Sequence, residues 1–127
     1  MEPVAIVLTL ALIEYFVFGI LVGRARGQYG VEAPATTGHP VFERYHRVHQ
    51  NTLEQLAIFI PALWMFGAYV SPPGAALLGL VFIVGRIVYL RGYVEDPKKR
   101  STGTFITLIA QAILLVGGGI GALLVWL

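Results

Sequence analysis

The chain has 127 residues, 57% of them hydrophobic and only 13% charged, with a mean hydropathy of +0.75 and a formal net charge of +2. A soluble domain is about a quarter charged. Here the apolar residues form long uncharged runs, which excludes a disordered tail, a disulfide-stapled module and a water-soluble enzyme. Without a cysteine the chain has no thiolate metal site and no nucleophilic sulfur of its own, so any sulfur chemistry must come from a ligand. The histidines, His39, His46 and His49, are fewer than a zinc site usually needs, and no metal is expected. The length suits one domain, 1–127, with room for about four spans of roughly 20 residues.

In chain order, the first apolar run extends from Pro3 to Gly23 and is interrupted only by Glu14. It has no basic leader and no small-x-small pattern before the first arginines, so it reads as a retained span rather than a cleaved signal. A polar loop with glycines and prolines follows, about 24–41. A long helix begins near Val41, polar for its first turns and apolar from Leu56 to Val70, which puts a second span at about 53–70. Ser71-Pro72-Pro73-Gly74 reads as a tight turn. The third span, about 75–93, carries Arg86. Asp96-Pro97 signals a helix start, with aspartate as N-cap and proline in the first position. The fourth helix, spanning about 102–126, has no charge from Ser101 onward. Its Gly117 and Gly121 form a small-xxx-small pattern suited to close packing. The expected fold is all-α, an integral membrane four-helix bundle.

The basic residues orient that bundle. Arg24, Arg26, Arg44 and Arg47 flank the first loop, and Arg91, Lys98, Lys99 and Arg100 flank the third. The second loop and both chain ends have no lysine or arginine. By the positive-inside rule the basic side is cytoplasmic and both termini lie on the opposite face.

Ionisable groups inside spans cost about 2.5 to 3.5 kcal/mol each on insertion scales, so each needs a partner or a purpose. Glu43, Arg47, Asn51 and Glu54 are spaced by four, four and three, which aligns them on one helix face. Arg86, Tyr89 and Tyr93 repeat the pattern on the third helix. Arg100 lies where a helix start already favours an anion. One reading is a structural network in which the arginines pair with acids on neighbouring helices. The other is a positive pocket for a small anionic ligand, favoured because arginines outnumber nearby acids. Lys98 and Lys99 read as solvated anchors at the headgroups. Glu14 is open to two readings as well: a packing residue, or the proton-coupled cation site of a small transporter.

The run PATTGHPVFERYHRVHQNTLE resembles the loop and second helix of the MAPEG superfamily, membrane-associated proteins in eicosanoid and glutathione metabolism. GRIVYLRGYVEDPKKRSTG is similar to the third-to-fourth helix junction of its type 2 microsomal glutathione S-transferase and leukotriene-conjugating synthase branch. ALWMFGAY between them also fits. The likeness covers Tyr15 to Thr104 nearly without gaps.

The resemblance implies a four-helix subunit in a homotrimer, with glutathione as co-substrate held between adjacent subunits near the cytoplasmic face. It implies a transferase, or a peroxidase, that activates glutathione as a thiolate against hydrophobic electrophiles or lipid hydroperoxides, a detoxifying chemistry; a nucleic-acid partner is not expected. By position, Arg26, Arg47, Asn51, Glu54, Tyr89 and Tyr93 match glutathione-binding residues. Arg100 matches the arginine that activates the thiol, and Ser101 a serine that follows it in prostaglandin E synthase relatives. Three positions depart from the pattern. Gln55 stands where the branch has an aromatic, Pro61 lies one turn beyond the usual proline, and Gly27 replaces a second arginine of the leukotriene branch. A non-catalytic, lipid-binding member of the superfamily is the alternative within the same resemblance.

Overall fold

A computed structural model describes all 127 residues. It contains helices α1 (Glu2–Tyr29), α2 (Pro40–Tyr69), α3 (Pro72–Glu95) and α4 (Ser101–Trp126), with a 3₁₀ turn at Pro97–Arg100 leading into α4. There is no strand. α2 and α3 pack on each other and on both remaining helices, which flank that pair.

Each helix buries one narrow seam. On α1 the seam is Val4, Val7, Ala11, Glu14, Phe18, Val22 and Ala25, spaced by three or four residues. The opposite face, with Ile6, Ile13, Phe16 and Ile20, is equally apolar yet exposed. A helix apolar all round suits a lipid surround rather than water. α1, α3 and the segment Pro97–Trp126 are each long and apolar enough to cross a membrane. α2 is not among them, because its first half is polar and only the part from Leu56 onward is apolar.

The main core lies in the apolar half of the bundle. Phe59 of α2 stacks on Phe82 of α3, with ring centroids 3.9 Å apart, among Leu56, Leu63, Ala110 and Leu114. At the loop end a smaller cluster, Val22, Ala25, Val31 and Phe42, seats the connection between α1 and α2.

The helix limits differ from the sequence expectation at three places. α1 does not stop at Gly23 but carries Arg24 and Arg26 through Gly27 to Tyr29 and ends only at Gly30. There the chain turns left-handed at φ 67°, and the Gly30 N–H caps the Arg26 carbonyl. α3 starts at Pro72, capped by the Ser71 hydroxyl, which accepts from Gly74 N at 3.0 Å. Asp96 caps as expected, accepting from Lys98 N at 3.1 Å, but what it starts is the 3₁₀ turn, so Arg100 becomes the N-cap of α4. α2 continues through Pro61 unbroken.

One close approach sets the geometry of the polar end. A Cβ at Gly103 would lie 2.5 Å from Tyr89 Cα, so only glycine lets α4 lie directly against α3 there. Gly117 meets Phe66 and Gly121 meets Val70 in the same way, so the small-residue stripe packs α4 on α2.

Candidate active site

A slot of about 350 Å³ opens between α2, α3 and α4. α2 contributes Arg47, Asn51 and Gln55, one per turn; α3 contributes Arg86, Tyr89 and Tyr93; Arg100, Thr104, Thr107 and Leu108 close the third wall. At ~1.5 Å per residue, the distance from Arg47 to Gln55 gives the slot a depth of about 12 Å. Three of the lining residues are arginines and none is an acid.

Arg86 organises the interior of the slot. It is 1% exposed, and it finds hydroxyl and amide partners instead of the acid partner the sequence suggested. Its Nη2 donates to Asn51 Oδ1 and to Thr52 Oγ1, each at 2.8 Å, and its Nε donates to Thr52 Oγ1 at 3.2 Å. The Thr52 hydroxyl donates onward to the Val48 carbonyl at 2.8 Å. The guanidinium carbon lies 4.3 Å from the centroid of the Tyr89 ring, and Tyr89 stacks on Tyr93 with centroids 5.5 Å apart. Neutral acceptors and an aromatic face hold this charge without neutralising it, so the slot stays positive. Because Asn51 gives its carbonyl oxygen to Arg86, its amide N–H groups remain for a ligand.

The other two arginines stand at the outer end. Arg47 pairs with Glu54 at 3.4 Å, with both side chains half exposed, a geometry worth little in stability. Arg100 makes one hydrogen bond, from Nη1 to the Pro97 carbonyl at 3.4 Å, and has no acid partner.

The structure thus gathers Arg47, Asn51, Tyr89, Tyr93 and Arg100 around one slot. Glu54 reaches its rim only through Arg47, and Ser101 is exposed and does not line it. Arg26 lies apart. It donates to the Ala35 carbonyl at 2.8 Å and the Val31 carbonyl at 3.5 Å, sits 4.7 Å above the Phe42 ring, and lines a separate cavity with Gly23 and Glu32. Glu14 is buried in the bundle and does not line the slot, and neither carboxylate oxygen has a hydrogen-bond partner. Glu43 accepts from Gly38 N at 3.2 Å and orders the loop instead of joining the Arg47 face.

Sequence reasoning passed over Thr104, Thr107 and Leu108 as lining residues and singled out Gln55 only as a departure from the family pattern. A signal existed: Arg100, Thr104, Thr107 and Gln111 are spaced by four, three and four, a polar stripe down one face of α4. It is hidden because threonine and glutamine carry no charge in an otherwise apolar run.

Residues 4–120 match the MAPEG family. The chain belongs to that family. Human microsomal glutathione S-transferase 2 is 47% identical over 104 residues, 82% of this chain and 71% of that protein. Leukotriene C4 synthase of Cavia porcellus is 34% identical over 125 residues, 96% of this chain and 83% of its own length. An uncharacterized protein of Synechocystis is 50% identical over 113 residues, covering 89% and 82%. As a MAPEG family member with three helices apolar enough to cross a bilayer, the chain is a membrane protein.

Proposed function

We propose that this MAPEG protein is a membrane-embedded glutathione transferase whose slot binds the tripeptide and holds its sulfur as thiolate. The chemistry of the lining supports the fit. Glutathione has two carboxylates, one ammonium and one thiol, and the slot offers three arginines, no acid in its lining and one carboxylate, Glu54, at its rim. Arg47 takes a carboxylate, Glu54 accepts the ammonium, Asn51 donates to the peptide backbone, and Tyr89 and Tyr93 form the wall. The names of the relatives, a glutathione S-transferase and a leukotriene C4 synthase, point the same way.

The observation that carries the reading is Arg100, an arginine at the slot with no acid partner and a single long bond to a carbonyl. A thiol with pKa near 8.5 is only a few per cent ionised at pH 7, and lowering it by about two units makes thiolate dominant. That asks for roughly 2.7 kcal/mol of preferential stabilisation, within reach of one arginine in a partly dry site. The proton leaves to water, and the thiolate attacks an electrophilic carbon arriving from the bilayer, forming the C–S bond as the leaving group departs. With a lipid hydroperoxide the thiolate takes the distal oxygen, giving a sulfenic acid and an alkoxide that picks up a proton. A second glutathione then condenses with the sulfenic acid to form the disulfide and water. Ser101, exposed beside Arg100, has the smaller share in thiol activation.

The assembly is read as a homotrimer, with the site completed across subunits. Arg26 supports this, since within one chain it serves a different cavity from Arg100. The slot faces the cytoplasm, both termini lie on the other side, and residues 1–127 form a single transmembrane domain.

The test is calorimetric titration with glutathione, followed by the ultraviolet absorbance of the bound thiolate. Arg100→Ala is expected to lose the thiolate absorbance and turnover while glutathione affinity stays within a few-fold. An Arg100→Ala protein with full thiolate signal and turnover overturns the mechanism, and no saturable glutathione binding by the wild type overturns the function.

A further inference from the structure

Two arginines at the basic end have no task in the chemistry above. Arg24 is the first charge after Glu14 on α1, and Arg91 is the first after the buried Arg86 on α3. Each stands where an apolar run gives way to polar sequence, the depth at which headgroups lie. α1 and α3 pack on each other, and two cavities adjoin at that end. One, of about 160 Å³, is lined by Arg24 and Gln28; the other, of about 480 Å³, by Arg91, Leu90 and Val94. Leu21 of α1 and Tyr45 of α2 line both, so they meet there with an arginine on either side. None of these residues lines the slot or the Arg26 cavity. The chain's three ion pairs, Met1 with Glu2, Arg47 with Glu54 and Lys99 with Glu95, include neither arginine. Glu95, the one acid beside these cavities, is held by Lys99 Nζ at 2.6 Å, which leaves the paired groove positive.

We propose that this groove binds the headgroup of an anionic phospholipid, with Arg24 and Arg91 on the phosphate and an acyl chain lying over the apolar surface beneath them. Arg24 and Arg91 are both exposed, so a headgroup reaches them directly. A guanidinium presents a planar fork of donors that matches phosphate oxygens. The apolar surface selects a lipid over a free anion. One turn deeper on the same face as Arg24 lies Ile20, and one turn deeper than Arg91 lies Ile87, each at a spacing of four. Both isoleucines are exposed, and Leu21 and Leu90 line the groove beside them. An inorganic phosphate gains nothing from these side chains, whereas an acyl chain covers them. Arg44 steadies the same end by donating to the carbonyls of Val94 and Glu95. A lipid seated there contacts α1 and α3 together, as they stand only in the folded chain, and so stabilises the fold by mass action.

The experiment titrates the full chain in neutral detergent with phosphatidylglycerol, with phosphatidylcholine and with inorganic phosphate, followed by native mass spectrometry and melting temperature. Phosphatidylglycerol is expected to bind saturably, to raise the melting temperature, and to bind about twentyfold more tightly than phosphatidylcholine, from about fivefold per arginine. Arg24→Gln and Arg91→Gln should each weaken it by about fivefold. Lys98→Gln, which removes an exposed cation outside the groove, should leave it unchanged. Equal binding of the two lipids overturns the proposal, as does a loss in Lys98→Gln equal to that in the arginine variants. Inorganic phosphate that raises the melting temperature as far as phosphatidylglycerol does makes this a free-anion site and overturns the lipid. A changed number of subunits in the double variant gives the face to a neighbouring copy and overturns it too. Melting without lipid checks the fold of each variant; if one is unfolded, the wild-type comparison of the two lipids and phosphate decides. No arm uses glutathione, so the outcome is independent of the transferase reading.

Discussion

Arg86 and Arg100 are the same residue type in one slot, yet their surroundings give them different work. Arg86 is buried and held by Thr52, Asn51 and the Tyr89 ring, whereas Arg100 stands exposed with one carbonyl contact. Arg86→Met leaves the Asn51 and Thr52 acceptors unpaired in the interior, which should cost about 1 to 3 kcal/mol. It should also free Asn51 to rotate and weaken glutathione binding, checked by thermal unfolding in detergent together with calorimetry. Ser101→Ala, at an exposed position, should keep most of the thiolate signal that Arg100→Ala loses. His49, on the polar half of α2, stacks on Tyr15 with centroids 4.4 Å apart. Burial first, and the neighbouring His46 second, push its imidazole below the ordinary value. The unfolded chain then binds this proton more readily than the folded one, so stability is complete above about pH 6.5 and falls as pH drops through it. His49→Gln should flatten that part of a melting-temperature profile taken between pH 5 and 8, within the usual titration range of histidine.

At the level of elements, the site depends on how closely α4 approaches α3. Gly103 against Tyr89 sets that distance, and Arg44 pins the end of α3 by donating to the carbonyls of Val94 at 3.0 Å and Glu95 at 3.3 Å. Gly103→Val forces side-chain atoms into the Tyr89 backbone, an overpacking that typically costs about 1 to 3 kcal/mol. Turnover should fall further than stability accounts for, because Tyr89 and Arg100 move apart; melting temperature and kcat measured on the same preparation separate the two effects. The stripe Glu43, Arg47, Asn51 and Glu54 was legible because spacings of three and four place residues on one face whatever the tertiary context. How that face divides was not legible. Asn51 points into the slot, Glu54 stays at the rim and Glu43 turns to the loop, because α3 and α4 cover only part of the stripe.

At the level of the whole molecule, the exposed apolar faces of all the helices must meet lipid or neighbouring subunits. Arg26 and Arg100 line different cavities within one chain, so a site using both needs two chains. Co-expressed Arg26→Ala and Arg100→Ala subunits, each inactive alone, should therefore regain a measurable fraction of turnover in the assembly proposed above. Mixtures as inactive as the separate variants would show that each chain works by itself.

By itself, the sequence determined that the chain is helical, that it lives in a membrane, roughly how many helices it has and which end of the bundle is basic. Those follow from composition, from prolines and glycines that cannot continue a helix, and from charges that lipid excludes, all of which act locally. Only the tertiary structure decided that Arg86 rests on Thr52 and Asn51 rather than on an acid, that Arg26 leaves the slot, and that Gln55, Thr104 and Thr107 line it. Those depend on which side chains from distant turns meet across the α2, α3 and α4 interfaces, and a neutral threonine or glutamine in an apolar run does not announce its partner.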